Sequence, residues 1–246
     1  MIELLSIDLS NYCSKQCPFC YNHSKKEGST LWTVDEVIAF VTDCIDNGVK
    51  AVSLGGGEPL EYDGIFDVID ALYPKCYLSI TTNGLPLENE RIWSMLMKHH
   101  PDKVHITIHS PNNVEEVERV IMQINRLKGT EIKPGVNLLV GADKVEDAHK
   151  VYIRLMKIVS SEQVILVPQR FSNTPSPKQL SFVADGKPFQ SPSCILGCKR
   201  PQRFVSISWD KKVNSCSYAQ GKQPMKSLSF QGLLNALSNV NFKSCQ

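Results

Sequence analysis

Residues 4–20 read Leu4-Leu-Ser-Ile-Asp-Leu-Ser-Asn-Tyr-Cys13-Ser-Lys-Gln-Cys17-Pro-Phe-Cys20. Leu4 to Leu9 is a short apolar run with alternation and reads as a strand. Immediately beyond it, three cysteines stand at Cys-x3-Cys-x2-Cys spacing. That spacing puts three thiolates on one tight loop, close enough to grip one inorganic centre. A fourth local cysteine is missing. Three soft ligands suit an iron–sulfur cluster with one iron left open, or a zinc site completed from elsewhere. His23, three residues after Cys20, keeps zinc chemically open. The N-terminal segment has no basic n-region, long apolar h-region or cleavage site. The expected compartment is therefore a reducing cytoplasm, where closely spaced cysteines serve metals or redox chemistry rather than disulfides.

The chain has 246 residues, 42% of them hydrophobic, enough for one large core or a core with a small appendage. A formal net charge of +2 is too mild to argue for nucleic acid or an anionic membrane surface. No stretch approaches the roughly 18–20 apolar residues of a membrane span. Nine cysteines is a high count. Cys44 falls beside Val41 and Ile45 on an apolar helical face and reads as packing; Cys76 stands alone.

Working outward from the cysteine loop, strand and helix patterns alternate. Thr33-Val-Asp-Glu36 is a capping box, followed by Val34, Val37, Ile38, Val41 and Ile45 at helical spacing and closed by Gly48. Ala51–Leu54 reads as a strand, Ile65–Leu72 as a helix, Tyr77–Thr81 as a strand and Leu87–Met97 as a helix. Val104–Ile108 is a strand, Val114–Leu127 a helix, and Val136–Val140 lies in a strand. Val145, Ala148, Tyr152, Leu155 and Val159 share a helical face, and Val164–Val167 closes the series as a sixth strand. Six strand–helix alternations imply parallel strands joined by right-handed crossovers. The fold class expected is α/β, a partial (β/α)6 barrel, because a full eight-fold barrel is typically about 250 residues on its own. In such sheets ligands sit at the carboxyl ends of the strands. The cysteine loop follows the first strand, Gly55-Gly-Gly-Glu-Pro59 the second, Thr82-Asn-Gly84 the third and His109-Ser110 the fourth. Taken singly, each has a plainer reading: a flexible turn for the glycines, ordinary core for Phe19, a generic turn for Asn83-Gly84, a satisfied structural histidine for His109. Their convergence on one rim is the stronger signal.

On these residues the chain resembles the radical S-adenosylmethionine superfamily, over roughly its first 165 residues. Cys13-x3-Cys17-x-Phe19-Cys20 matches the cluster motif, including the aromatic before the third cysteine. Gly56-Gly57-Glu58-Pro59 matches the second motif, and Thr82-Asn83-Gly84 a common ending of the third strand. The resemblance implies a [4Fe-4S] cluster on Cys13, Cys17 and Cys20 whose open iron chelates S-adenosylmethionine. It implies reductive cleavage of that cofactor to a 5′-deoxyadenosyl radical that abstracts hydrogen from a substrate. Phe19 would face the adenine, and the backbone of Gly55, Gly56 and Gly57 the methionine amino group. Glu58 and Pro59 would fix that loop, with Thr82 and Asn83 beside it. His109 and Ser110 would lie near the ribose, and Asn137 and Gln169 among the cofactor's neighbours. An electron donor such as flavodoxin or ferredoxin goes with this chemistry.

Beyond residue 168 the composition changes. Residues 169–193 are rich in Pro, Ser, Lys and Gln and read as a linker or active-site loop. Cys194-x3-Cys198 follows, then an alternating run Phe204–Trp209, a turn at Asp210–Lys212, and Val213 and Cys216, which suggest a hairpin. Ser227–Val240 looks like an amphipathic helix, and Cys245 is penultimate. The domain expectation is a core at 1–168, a loop at 169–193 and a small domain at 194–246. That last part resembles the twitch and SPASM auxiliary-cluster domains, with Cys194, Cys198, Cys216 and Cys245 as one set of four thiolates; structural zinc is the alternative for them.

The expected activity is oxidative modification, dehydrogenation or cross-linking, of a peptide or small metabolite, with no nucleic acid and no membrane as partner. Hydrogen abstraction leaves one electron too many for a closed-shell oxidised product, and a second cluster can accept it. One alternative is a glycyl-radical activating enzyme, which needs no product oxidation. Another is a zinc-stabilised binding module, against which the Gly-Gly-Glu-Pro rim argues. No peptide-recognition segment is expected ahead of the first strand, so a peptide would need a separate carrier or direct docking at the rim.

Overall fold

The computed structural model describes residues 1–197 and 199–243. It divides into two compact units, one of Met1–Lys103 with the chain from Arg200 onward, the other of Val104–Lys199.

In the first unit, β1 (Leu4–Asp8), β2 (Ala51–Gly55) and β3 (Tyr77–Thr82) are parallel neighbours. Their crossovers carry α1 (Val34–Asp46) and α2 (Ile65–Leu72), and α3 (Glu90–Lys98) follows β3. Leu5, Ile7, Val52, Leu54, Leu78 and Ile80 point one way and are essentially inaccessible, packed with Val37, Phe40, Val41, Val68, Ile69 and Leu72 of the helices. Cys44 belongs to this core; burial pushes its thiol up to about 12. The opposite face of the same strands carries Ser6, Asp8, Ser53, Gly55 and Ser79, small or polar residues. That division gives the sheet one apolar, filled side and one side of small and polar residues.

The capping box at Thr33 forms as read: Thr33 Oγ1 accepts from Glu36 N–H and Glu36 caps Thr33 N–H in return. The helix expected over Leu87–Met97 is instead a 3-10 turn, Pro86–Glu88, followed by α3. Asn89 is the reason. Its backbone is extended and its side chain accepts from Arg91 and Ile92 N–H, so the helix restarts at an N-cap that the apolar spacing runs straight across.

The C-terminal part of this unit joins the same sheet. β7 (Phe204–Ile207) runs parallel to β1, with Leu4 opposite Phe204 and Ser6 opposite Ser206. β8 (Lys212–Asn214) and the two-residue β9 (Gln223–Pro224) continue it antiparallel, giving the order β3-β2-β1-β7-β8-β9. The expected hairpin is thus present as β7–β8. Trp32 ties it down: its indole N–H donates to the Ser208 carbonyl at 3.2 Å, and Lys211 Nζ lies 5.3 Å above its ring. α7 (Phe230–Ser238) is shorter than the Ser227–Val240 stretch, because Ser229 caps it. Its first N–H, on Phe230, donates to Asp43 on α1 at 2.6 Å.

In the second unit the strand order is β6-β5-β4, from β4 (Lys103–Ile108), β5 (Lys133–Val140) and β6 (Val164–Pro168), with β5 and β6 parallel. α4 (Val114–Leu127) and α5 (Val145–Leu155) are the crossover helices. The segment read as a linker or loop contains α6 (Pro177–Val183), started by a capping box of Ser176 and Gln179 with Pro177 in its first turn, where its missing N–H is harmless. Among the described residues no helix is long and apolar enough to cross a membrane.

Candidate functional site

The loop after β1 folds back on itself. Lys25 N–H donates to the Asn11 carbonyl and Cys13 N–H to the Lys25 carbonyl, both at 3.0 Å. Ser29 N–H reaches Asn11 Oδ1 at 2.7 Å. Gln16 and His23 each have φ of 50°, the left-handed conformation that bends so short a loop. Cys13 is buried, Cys17, Phe19 and Cys20 are half-buried, and none of the three cysteines is in a disulfide. Burial holds the Cys13 thiol above its ordinary range. Cys20 N–H closes on the Cys17 carbonyl at 3.1 Å, a turn between the last two thiols.

The Gly55-Gly56-Gly57 run lies directly against this loop. Gly57 N–H donates to the Ser10 carbonyl at 2.7 Å and Glu58 N–H to the Tyr12 carbonyl at 2.8 Å. A Cβ on Gly57 would stand 1.8 Å from the Tyr12 carbonyl oxygen, so only glycine permits this backbone-to-backbone approach. Gly56, at φ of 113°, is held by conformation as well as by space. Gly55 differs from both: a Cβ there meets nothing within 4 Å, so open space lies over it.

Glu58 is fully buried and organises the third strand's ending. It accepts from Thr82 Oγ1 at 2.7 Å, from Asn83 N–H at 2.7 Å and from Leu60 N–H at 3.1 Å. Burial pushes its carboxyl up to about 7, with those three donors pulling the other way. Pro59 begins the 3-10 turn that follows. Asn83 in turn donates through Nδ2 to Cys13 Sγ at 3.6 Å. Glu58, Thr82, Asn83 and Cys13 therefore form one connected chain of contacts.

Three residues here carried no reading from the sequence. Glu61 accepts from both Ser14 N–H, at 3.0 Å, and Ser14 Oγ, fixing the residue next to Cys13. Asp8, the last residue of β1, is fully buried, and the Tyr21 hydroxyl donates to its Oδ1 at 3.1 Å. Tyr21 follows Cys20 directly. The one legible sign was Asp8 itself, an acidic residue inside an apolar strand; Glu61 gave none.

In the second unit, His109 and Ser110 lie at the carboxyl end of β4. His109 N–H donates to Glu116 Oε1 at 2.7 Å, and Ser110 accepts from Asn113 N–H at 2.9 Å, so both belong to the turn that starts α4. Asn137 is half-buried on β5 opposite Ile165. Gln169, just past β6, accepts from Asn173 Nδ2 at 3.0 Å. Its neighbour Arg170 donates through Nη2 to Cys194 Sγ at 2.8 Å. Cys216 is half-buried just after β8, in the first unit. Cys198 and Cys245 lie outside the described residues.

The family profile described as the Radical SAM superfamily matches residues 7–156. The chain belongs to the radical SAM superfamily. Among curated relatives, a GTP 3′,8-cyclase of Clostridium perfringens is 23% identical over 226 residues, covering 84% of this chain and 69% of the relative. Among solved structures, Streptococcus suis SuiB bound to S-adenosylmethionine superposes with a TM-score of 0.68 at 16% identity, over 91% of this chain and 63% of that one. SuiB bound to its precursor peptide SuiA gives 0.69 at 16%, over 88% and 60%. This chain thus spans about three-fifths of SuiB's length. At that identity the likeness is one of fold, an α/β fold with a mostly parallel sheet.

Radical SAM enzymes use a [4Fe-4S] cluster together with S-adenosylmethionine, and the residues present fit both. Among the described residues no three His, Cys, Asp or Glu side chains converge as ligands of a single metal ion. A cubane asks for something else, one thiolate per iron spread around its corners, and three cysteines on one loop meet that demand. The open space over Gly55 leaves room for a ligand to approach the backbone.

Proposed function

We propose that this radical SAM enzyme oxidatively modifies a peptide or small metabolite, by dehydrogenation or cross-linking. In this reading Cys13, Cys17 and Cys20 hold the first cluster, and Cys194, Cys198, Cys216 and Cys245 hold a second. Bound at the first site, the cluster and S-adenosylmethionine supply one-electron reduction and hydrogen abstraction from the substrate. The chain's own residues then have defined tasks. Glu58 holds the Thr82–Asn83 turn, Asn83 holds Cys13, and Glu61 holds Ser14, so the thiolate loop is fixed before any ligand arrives. The glycine run brings the β2 backbone against that loop and keeps the space over Gly55 clear.

The observation that carries the oxidative reading is the second set of four cysteines. Removal of a hydrogen atom leaves one electron in excess of a closed-shell product, and in this reading the four further cysteines of the sequence are the ligands of its acceptor. Cys216→Ala tests it. S-adenosylmethionine cleavage persists, product formation stops, and uncoupled 5′-deoxyadenosine accumulates; circular dichroism and retained absorption of the first cluster control for folding. Full product yield from Cys216→Ala would move the reading to a glycyl-radical activating enzyme.

A second reading is favoured by the relatives. The match to a GTP 3′,8-cyclase extends over 84% of this chain, which supports ring closure on a nucleotide. Turnover with GTP against turnover with a peptide distinguishes the two.

A further inference from the structure

Asp8, at the carboxyl end of β1, is a buried carboxylate to which the proposed function gives no task. It has no exposed surface, and only one of its oxygens is used: Oδ1 accepts from Tyr21, while Oδ2 is buried without a hydrogen-bond partner among the described residues. On the next strand, Ser206 Oγ is in the same condition, on a residue 1% exposed. The sheet register relates the two. Ser6 stands opposite Ser206, and Asp8 is two residues beyond Ser6, so both groups project from one face of the β1–β7 pair. On its other side Asp8 stands opposite Gly55, whose absent side chain leaves open space on that same face. Two buried polar atoms left unsatisfied are costly, and such groups are kept where a ligand completes them.

The charges around Asp8 set the ligand's chemistry. An anionic oxygen and a hydroxyl, both without donors, ask for a group that is rich in N–H and preferably cationic. Lys222 acts on Asp8 only through space, and Asp210 adds negative charge nearby. The Tyr21 ring, which brings its hydroxyl to Asp8, packs 4.9 Å from the Tyr218 ring, and both residues are half-buried. The aromatic pair therefore reaches from the carboxylate towards the surface.

We propose that Asp8, with Ser206 beside it and Tyr21 holding it, is a substrate-anchoring subsite for an amino or other cationic nitrogen group. It rests on the proposed function, in which hydrogen is abstracted from a substrate at the site of the first cluster. The test uses ethylammonium chloride as probe on the apoprotein, with sodium chloride at equal ionic strength as reference. Tens of millimolar ethylammonium shift the 13Cγ resonance of Asp8 and raise the melting temperature of the wild type, and sodium does neither. Asp8→Asn abolishes the melting response, and Ser206→Ala weakens it several-fold. No 13Cγ shift in the wild type overturns the proposal, whatever the variants do. Affinity for S-adenosylhomocysteine separates the two sources of such a nitrogen. A tenfold loss in Asp8→Asn assigns the group to the cofactor and overturns the substrate assignment. The probe needs neither cluster nor turnover, so its failure is distinct from a failure to form product.

Discussion

Gly57→Ala places one methyl group where the structure has no room for it. The new carbon would stand 1.8 Å from the Tyr12 carbonyl oxygen, against a working minimum of 3.0 Å, so the two loops must part by about 1.2 Å. The contacts joining them are the Gly57–Ser10 and Glu58–Tyr12 hydrogen bonds of 2.7 and 2.8 Å, and that displacement carries both beyond bonding range. Each buried group left unpaired costs about 1–3 kcal/mol, and the strain of overpacking adds about 1–3 kcal/mol. A total of about 3–9 kcal/mol, at about 2–4 °C per kcal/mol for a chain of this size, lowers the melting temperature of the apoprotein by roughly 6–36 °C and loosens the cysteine loop enough to cut iron incorporation. Gly55→Ala is the matched control, since its methyl meets nothing within 4 Å. It melts within about 2 °C of the wild type and loads iron normally, as a substitution without steric conflict does. Because it fills the space over β2, its affinity for S-adenosylmethionine falls about tenfold. Calorimetry, iron analysis and equilibrium binding read all three quantities. A Gly57→Ala protein that melts and loads like the wild type refutes the stitched-loop account, and unchanged cofactor affinity in Gly55→Ala refutes the use of that space.

Further outcomes follow from the same contacts. Anaerobic reconstitution gives about eight irons per chain, as two cubanes require, and the triple Cys13/Cys17/Cys20→Ala protein keeps about half of them with its brown colour; a colourless triple mutant removes the second cluster. Glu61→Ala frees Ser14 and slows cluster incorporation several-fold, measured by absorption during reconstitution, while Glu61→Gln, which keeps one acceptor, recovers part of the rate. Asp8 is pushed from 3.8 up to about 6 by burial, so the folded apoprotein holds its proton more tightly than the unfolded chain. Its contribution is therefore greatest below about pH 4 and is lost as pH rises through about 6. At about 1.36 kcal/mol per unit, the stability difference between Asp8→Asn and wild type shifts by about 2 kcal/mol in the variant's favour between pH 4 and 7, read by denaturant titration.

Much of this architecture was legible because its signals are local. The capping box at Thr33, the glycine run after Leu54 and the three cysteines each declare themselves within a few residues. What escaped reading depends on partners far apart in the chain. The run Phe204–Ile207 announces a strand, but nothing in it says that β1 is its neighbour. Glu61 looks like any acidic turn residue until Ser14, 47 positions earlier, is seen bound to it. Two misreadings were of another kind. At Asn89 a local capping preference overrides an apolar periodicity that continues through it. At Ser176 the surrounding Pro and Ser content hid a short helix whose capping box was in plain sight.

The central claim is that the thiolates of Cys13, Cys17 and Cys20 make this chain a reductive S-adenosylmethionine-cleaving enzyme. The direct measurement is 5′-deoxyadenosine formation by the anaerobically reconstituted protein with S-adenosylmethionine and dithionite, alongside each single Cys→Ala variant at these positions. The wild type forms 5′-deoxyadenosine and all three variants form none. A variant that cleaves at the wild-type rate, or a fully loaded wild type that forms no 5′-deoxyadenosine, contradicts the account.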